Sequence, residues 1–252
     1  MSSQKDNILR SIYAIYEMYK KGYLGGKILP EDSNPGLSKS SIDNYNFFTL
    51  TVALDYQRNA FSLWESAKKT FLDPSTVQVF DPKLVINMSN EKLKKYLCEY
   101  NLALQPNKHT EIWRKICETM CFLFDGDIRN LFIETKWYIP DILKLVQVTH
   151  KSSFPYLSGI KLCSYWLHIL EKYTDATFNG REFLSIAPDT HIIKATHKLG
   201  LISADMLKDN KIQLLVAEIW SDLLKETNLT PIDMHTPLWL WSKSKFIDIE
   251  RR

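Results

Sequence analysis

Two residues of this sequence have the type and setting to do chemistry together: Lys161 and Asp189. Lys161 follows a Ser158-Gly159 turn and opens the apolar run LCSYWLHIL. A cation at a helix start opposes the helix dipole, so it is a poor choice for stability alone. Partial desolvation of a lysine favours the neutral amine, which is the nucleophilic form. Asp189 follows Pro188 and opens a second apolar segment, HIIKATHKLGL. Aspartate is among the best helix-capping residues, and a capping carboxylate can also face a ligand. The amides of Gly159, Ile160 and Lys161 form a helix start suited to a phosphate oxygen, and a glycine there lets a ligand approach closely. Each feature also has a plain structural reading: a hairpin turn, a surface lysine with its stem on apolar neighbours, and an N-cap.

The elements that must position this pair are helical. Ile8, Ile12, Ile15 and Tyr19 recur at helical spacing over 7–21, and Gly22 to Gly26 stop that helix. A polar connection fills 27–41. A helix capped by Asp43 or Asn44 follows, with a break near Tyr56–Asn59 and an end at Asp73-Pro74. Residues 74–85 alternate like a strand but are bracketed by prolines, so they read as an extended connection or a short helix begun at Pro74-Ser75. Ser89 starts a helix through Tyr100, Thr110 another through Phe124, and shorter ones lie over 127–132 and 140–148. Ile212–Lys225 is amphipathic, and Pro231 starts a last helix. Ten or eleven helices and little strand make the fold all-α.

Composition narrows the function classes. The 252 residues are enough for one large core or two close subdomains. A net charge of +3 permits a local nucleic-acid-binding patch but not a histone-like coat. No 18-residue apolar run is present, which argues against a membrane partner, and the N-terminus lacks the pattern of a secretory signal. The expected location is therefore intracellular. The four cysteines, Cys98, Cys117, Cys121 and Cys163, lie in apolar helical patterns without metal-ligand spacing, so buried thiols and no metal are expected.

The order of the features carries more than any one of them. Gly159-Ile160-Lys161, an apolar helix, then Ala187-Pro188-Asp189-Thr190-His191 opening an amphipathic helix resembles the helix-hairpin-helix DNA glycosylase superfamily. The match to its lyase-competent branch lies in the Gly-x-Lys and the Pro-x-Asp-x-His. Weaker likenesses run through FFTLTVALDYQRNAFSLW (47–64), SNEKLKKYL (89–97) and HTEIWRKICETM (109–120). The first hairpin glycine of the family is Leu157 here, and Lys161 and Asp189 are separated by an insertion containing TDATFNGREF. Such an insertion, with no iron–sulfur cysteine loop and no N-terminal β-domain, is most similar to the archaeal-type 8-oxoguanine DNA glycosylase/AP-lyase branch.

The resemblance implies two packed helical subdomains with a cleft, the first over 43–153 and the second over 1–42 and 154–252. It implies base-excision repair of double-stranded DNA carrying a damaged base such as 8-oxoguanine, by a cytoplasmic, nucleoid-associated monomer without a cofactor. Lys161 becomes the Schiff-base nucleophile and Asp189 the stabiliser of the positive sugar. Gln57, Arg58 and Asn59 fill the vacated stack, while Ser158, Gly159, Ile160 and His191 contact the DNA. Asp233, His235 and Trp239 near the C-terminus offer two hydrogen-bonding groups and a stacking ring for a purine. Two other readings use the same residues: a non-catalytic nucleic-acid-binding relative, and an unrelated helical interaction module in which Lys161 and Asp189 form a capping and salt-bridge pair.

Overall fold

A computed structural model describes residues 2–25 and 28–249. Gly26 and Lys27, within the predicted stop signal and loop, lie outside them. The described residues form an all-α fold with twelve α-helices and no strand; the one β-type bridge joins Tyr138 and Asn179. In chain order the first six are α1 (Ser2–Lys20), α2 (Ile42–Val52), α3 (Ala60–Leu72), α4 (Pro82–Val85), α5 (Asn90–Glu99) and α6 (Pro106–Phe124). The others are α7 (Arg129–Glu134), α8 (Ile139–Lys144), α9 (Ile160–Tyr173), α10 (Thr190–Lys198), α11 (Ile212–Leu224) and α12 (His235–Lys243). No helix among the described residues is long and apolar enough to cross a membrane.

Local chemistry explains most helix starts. Ser41, rather than Asp43 or Asn44, caps α2, accepting from the Asn44 amide at 3.2 Å. Asn59 caps α3, Asp81 caps α4 and Ser89 caps α5 in the same way. The α6 helix begins at Pro106, one turn before the expected Thr110, because proline at N1 is pre-set for the helix and Thr110 bonds back to the Pro106 carbonyl at 2.6 Å. The strand-like alternation over 74–85 resolves into a 3-10 turn at Val77–Phe80 followed by α4. Its buried members Val79, Phe80 and Val85 follow the spacing of short helical turns.

The chain divides into two compact units, Leu29–Gly180 and Met1–Ile28 with Arg181–Arg252. This differs from the expected boundaries, and the reason is packing. In the larger unit α2 is buried on nearly every face, and α9 closes over it. The Trp166 indole donates to Thr49 Oγ1 at 2.9 Å, and Asn44 donates to the Tyr173 carbonyl. The rings of Phe47, Phe48, Trp64, Phe80 and Trp113 form one aromatic group of the core, and those of Phe132 and Trp166 another. Each such buried ring contributes about 1.5–3 kcal/mol relative to exposure, so the 154–180 segment belongs with α2. The 3-10 turn Pro30–Asp32 also belongs here, since Glu31 is buried and Asp32 accepts from the Tyr173 hydroxyl.

The smaller unit is built around α10 and α12, with α1 and α11 packed on them. Trp220 is fully buried, and its indole donates to Thr196 Oγ1 at 2.9 Å, tying α11 to α10. Ile12 and Ile15 of α1 and Leu238 of α12 are also fully buried.

Candidate functional site

In the larger unit, residues 154–161 form a tight turn into α9. Ser158 N–H donates to the Phe154 carbonyl and Gly159 N–H to the Tyr156 carbonyl, both at 2.9 Å. Of the three amides expected to face an anion, that of Gly159 is therefore taken. Ile160, Lys161 and Leu162 are the first-turn amides that the helix itself leaves without partners, because the first helical bond runs from Cys163 to the Gly159 carbonyl. Gly159 is the N-cap, is solvent-exposed, and offers no side chain to those amides. Its φ of −72° suits any residue; glycine is favoured by space, since a Cβ would lie 3.2 Å from the Tyr156 carbonyl oxygen. Tyr156 takes the left-handed conformation instead, at φ 64°. Leu157, standing where the family has its first hairpin glycine, is fully buried and anchors the turn in the core.

Lys161 is not splayed into solvent. Its side chain is 21% exposed, and its amine donates to the Asp55 main-chain carbonyl at 3.1 Å and lies 3.7 Å from Asp55 Oδ2. Asp55 follows α2 in a tight turn, its amide bonded to the Val52 carbonyl, and its side chain is only 8% exposed. The turn that runs on from Asp55 carries Gln57, Arg58 and Asn59, so the structure brings this loop and the 154–161 turn together within one unit. The rings of Tyr56 and Tyr156 pack 4.8 Å apart. Gln57 is exposed, in the left-handed conformation at φ 52°. Arg58 holds the loop by donating to the Leu102 and Asn101 carbonyls at 2.7 and 3.2 Å, and exposed Asn59 spends its side-chain oxygen capping α3. Among these three, Gln57 is the one for which the structure records no side-chain bond.

Beside Tyr156 lies a surface depression of about 340 Å³, lined by Lys108, Glu111, Ile112, Lys115, Pro155 and Tyr156. Lys108 sits 5.2 Å from the Tyr156 ring centre, and a hydrogen bond with the Tyr156 hydroxyl holds its ammonium above the usual lysine range. A cation over an aromatic face next to an open helix start is a phosphate-compatible surface.

One turn further into α9, Tyr165 hydrogen-bonds the Glu31 carboxyl and lies within electrostatic range of Asp55. Burial pushes the Glu31 carboxyl up to about 7, opposed by its backbone hydrogen bond, Lys172 and Tyr165. Glu31 Oε2 is buried without a hydrogen-bond partner. The thiols are inert by comparison, since burial raises Cys117 far and pushes Cys163 up to about 12.

In the smaller unit Asp189 caps α10, its Oδ1 accepting from the His191 and Ile192 amides at 2.8 and 2.9 Å. The carboxylate is half-buried, and both recorded bonds use one oxygen. His191 packs edge-on against Trp239, centroids 5.4 Å apart, and its Nδ1 lies 3.0 Å from Ser242 Oγ. Burial lowers the His191 ring below the usual histidine range, Asp189 opposes that, and Lys243 and Lys194 reinforce it. The α10 start and the α12 face thus place Asp189, His191 and half-exposed Trp239 on one part of this unit. Asp233 is engaged elsewhere: Oδ2 accepts from the Thr230 amide and hydroxyl, and Oδ1 pairs with Arg181 at 3.1 Å. His235 is buried at 6% exposure.

Asp55, Glu31 and the Lys108–Tyr156 pair were not singled out by sequence reasoning. Asp55 had a visible signal, a single acid ending the apolar run FFTLTVAL; the other two depend on contacts far apart in the chain. No family model matches this sequence, and no curated protein matches it.

Proposed function

We propose that the chain is a DNA glycosylase with AP-lyase activity, acting on an oxidised purine such as 8-oxoguanine in duplex DNA. What carries the reading is the setting of Lys161: a mostly buried amine at an uncapped helix start, held by the Asp55 carbonyl rather than dispersed in water. In this reading the damaged base is flipped from the stack to expose its glycosidic bond. The Lys161 amine attacks C1′, the bond to the base breaks, and the resulting imine permits β-elimination at the 3′ phosphate. Asp189 stabilises the positive charge that develops on the sugar. The open amides of α9 and the Lys108–Tyr156 surface take phosphates, and Gln57 enters the gap in the stack. Asp233 and His235 drop in rank as base-recognition groups, because one is spent on Thr230 and Arg181 and the other is buried. Trp239 keeps that role.

The test is incision of duplexes containing 8-oxoguanine, uracil or an abasic site. The reading expects cleavage of the first and third, lost in Lys161→Gln. Binding to the same duplexes without cleavage by the unaltered chain would favour a non-catalytic DNA-binding protein, for which the Lys161–Asp55 pair is a structural tie.

A further inference from the structure

Lys161 can attack only as the neutral amine, so a nucleophilic role needs a group that takes its proton. The Asp55 carboxylate lies 3.7 Å from the amine. It is presented rigidly, since the Leu54 and Asp55 amides bond to the Thr51 and Val52 carbonyls and continue the chain from α2 as a tight turn. Burying a carboxylate costs several kcal/mol unless charges or hydrogen bonds answer it. The recorded groups facing Asp55 are Lys161 and Tyr165 from α9 and Arg58 from its own loop. Arg58 donates to two main-chain carbonyls, and Lys161 is a cation in contact range of the carboxylate.

The geometry of that contact separates two roles. A pair built for strength closes to about 2.7–2.9 Å between ammonium and carboxylate. Here the amine's short bond goes to the neutral Asp55 carbonyl at 3.1 Å, and the carboxylate stands off at 3.7 Å. The carbonyl fixes where the nitrogen sits, and the carboxylate is left within one small movement of accepting its proton.

We propose that Asp55 is the proton acceptor for Lys161, a task distinct from the one assigned above to Asp189. The inference rests on the reading of Lys161 as a nucleophile. The step balances as follows. A proton passes from the Lys161 ammonium to Asp55 Oδ2. The freed lone pair forms the Nζ–C1′ bond as the C1′–N bond to the base breaks. The electron pair of the broken bond leaves with the base, which takes a proton from water, and Asp55 gives its own proton back to solvent, restoring the carboxylate. Asp55 acts through Lys161 and is a positioning residue.

The experiment uses the full chain and a duplex with one abasic site, trapped with borohydride in single turnover across pH 5.5 to 9.5. Asp55→Asn is expected to slow trapping on the order of 100-fold near neutral pH, the usual scale for a lost proton acceptor. Its rate should climb with pH toward that of the unaltered chain, as hydroxide replaces the carboxylate. Asp55→Glu should keep the original pH profile at a reduced rate, which separates proton transfer from loop support and covers the case of an unstable asparagine variant. The inference is overturned if Asp55→Asn traps at the original rate and profile, or if the asparagine and glutamate variants lose trapping equally at every pH while still folded. Failure of the unaltered chain to trap at all would instead remove the nucleophile reading beneath it.

Discussion

The starts of α9 and α10 solve the same problem in opposite ways. Each leaves first-turn amides that the helix cannot satisfy. At α10 the chain supplies its own answer, because Asp189 Oδ1 binds two of them. At α9 the cap is Gly159, which has nothing to offer, and the next-but-one residue is a cation. A capping side chain in place of Gly159, and an uncharged residue in place of Lys161, would each favour the α9 start. The contrast separates an end closed by its own side chain from one whose cap offers none, and Lys161 sits at the latter.

Substitution at the two starts should therefore have different consequences, and the largest falls at α9. Lys161→Gln removes the amine but leaves the aromatic core untouched; incision of abasic DNA should drop by on the order of 10⁴-fold or more, with a thermal midpoint close to the original. A large drop in incision that tracks a large drop in midpoint would mean that Lys161 is a structural tie.

At α10 the cap and the charge can be separated. Asparagine caps as well as aspartate, so Asp189→Asn should fold normally yet incise on the order of 100-fold more slowly. Asp189→Ala should add a stability loss of about 1 kcal/mol, read by denaturant titration. If asparagine incises normally, Asp189 is a cap and nothing more.

Stability against pH sharpens the α9 side. The Glu31 carboxyl, bonded to Tyr165 one turn into that helix, is raised from 4.5 to about 7. Its pKa is higher in the folded state, so the stability linked to it is fully present below about 4.5 and is lost as pH rises through about 7. The span is roughly 3 kcal/mol, from 1.36 kcal/mol per pKa unit. Glu31→Gln should flatten this slope and stabilise the unit at pH 8, measured by denaturant titration at several pH values. A slope unchanged by the substitution would show that Glu31 ionises without penalty.

The smallest effect is expected at Gly159→Ala. Its φ imposes no strain, and the added Cβ meets the Tyr156 carbonyl oxygen at 3.2 Å. A stability loss of about 1 kcal/mol follows, the low end of overpacking, with weaker binding to duplex DNA measured at fixed salt. Normal binding would argue against a phosphate at this helix start.

The sequence carried the helices well where periodicity and caps coincide, as at Ser89 and Asn59, whose capping bonds are local. It misplaced the start of α6, where Pro106 acted a turn earlier than Thr110, and of its two readings of 74–85, an extended connection or a short helix begun at Pro74-Ser75, the chain takes short helical turns, but from Val77 and Pro82. The unit boundary was missed for a different reason. Thr49 meets Trp166, and Asp32 meets Tyr173, across more than a hundred residues, and no local pattern reports such contacts. The same applies to the site. Lys161 and Asp189 were visible as residue types at helix starts, whereas Asp55 became a candidate only when α2 and α9 came together.

The most direct measurement is the identity of the residue that bonds to DNA. The chain is mixed with a duplex bearing one 8-oxoguanine, reduced with borohydride, digested, and the modified peptide mapped by mass. The account predicts one adduct, on Lys161 in the peptide that follows Gly159. An adduct on another lysine, such as Lys108, or no adduct where an abasic duplex is incised, would contradict it.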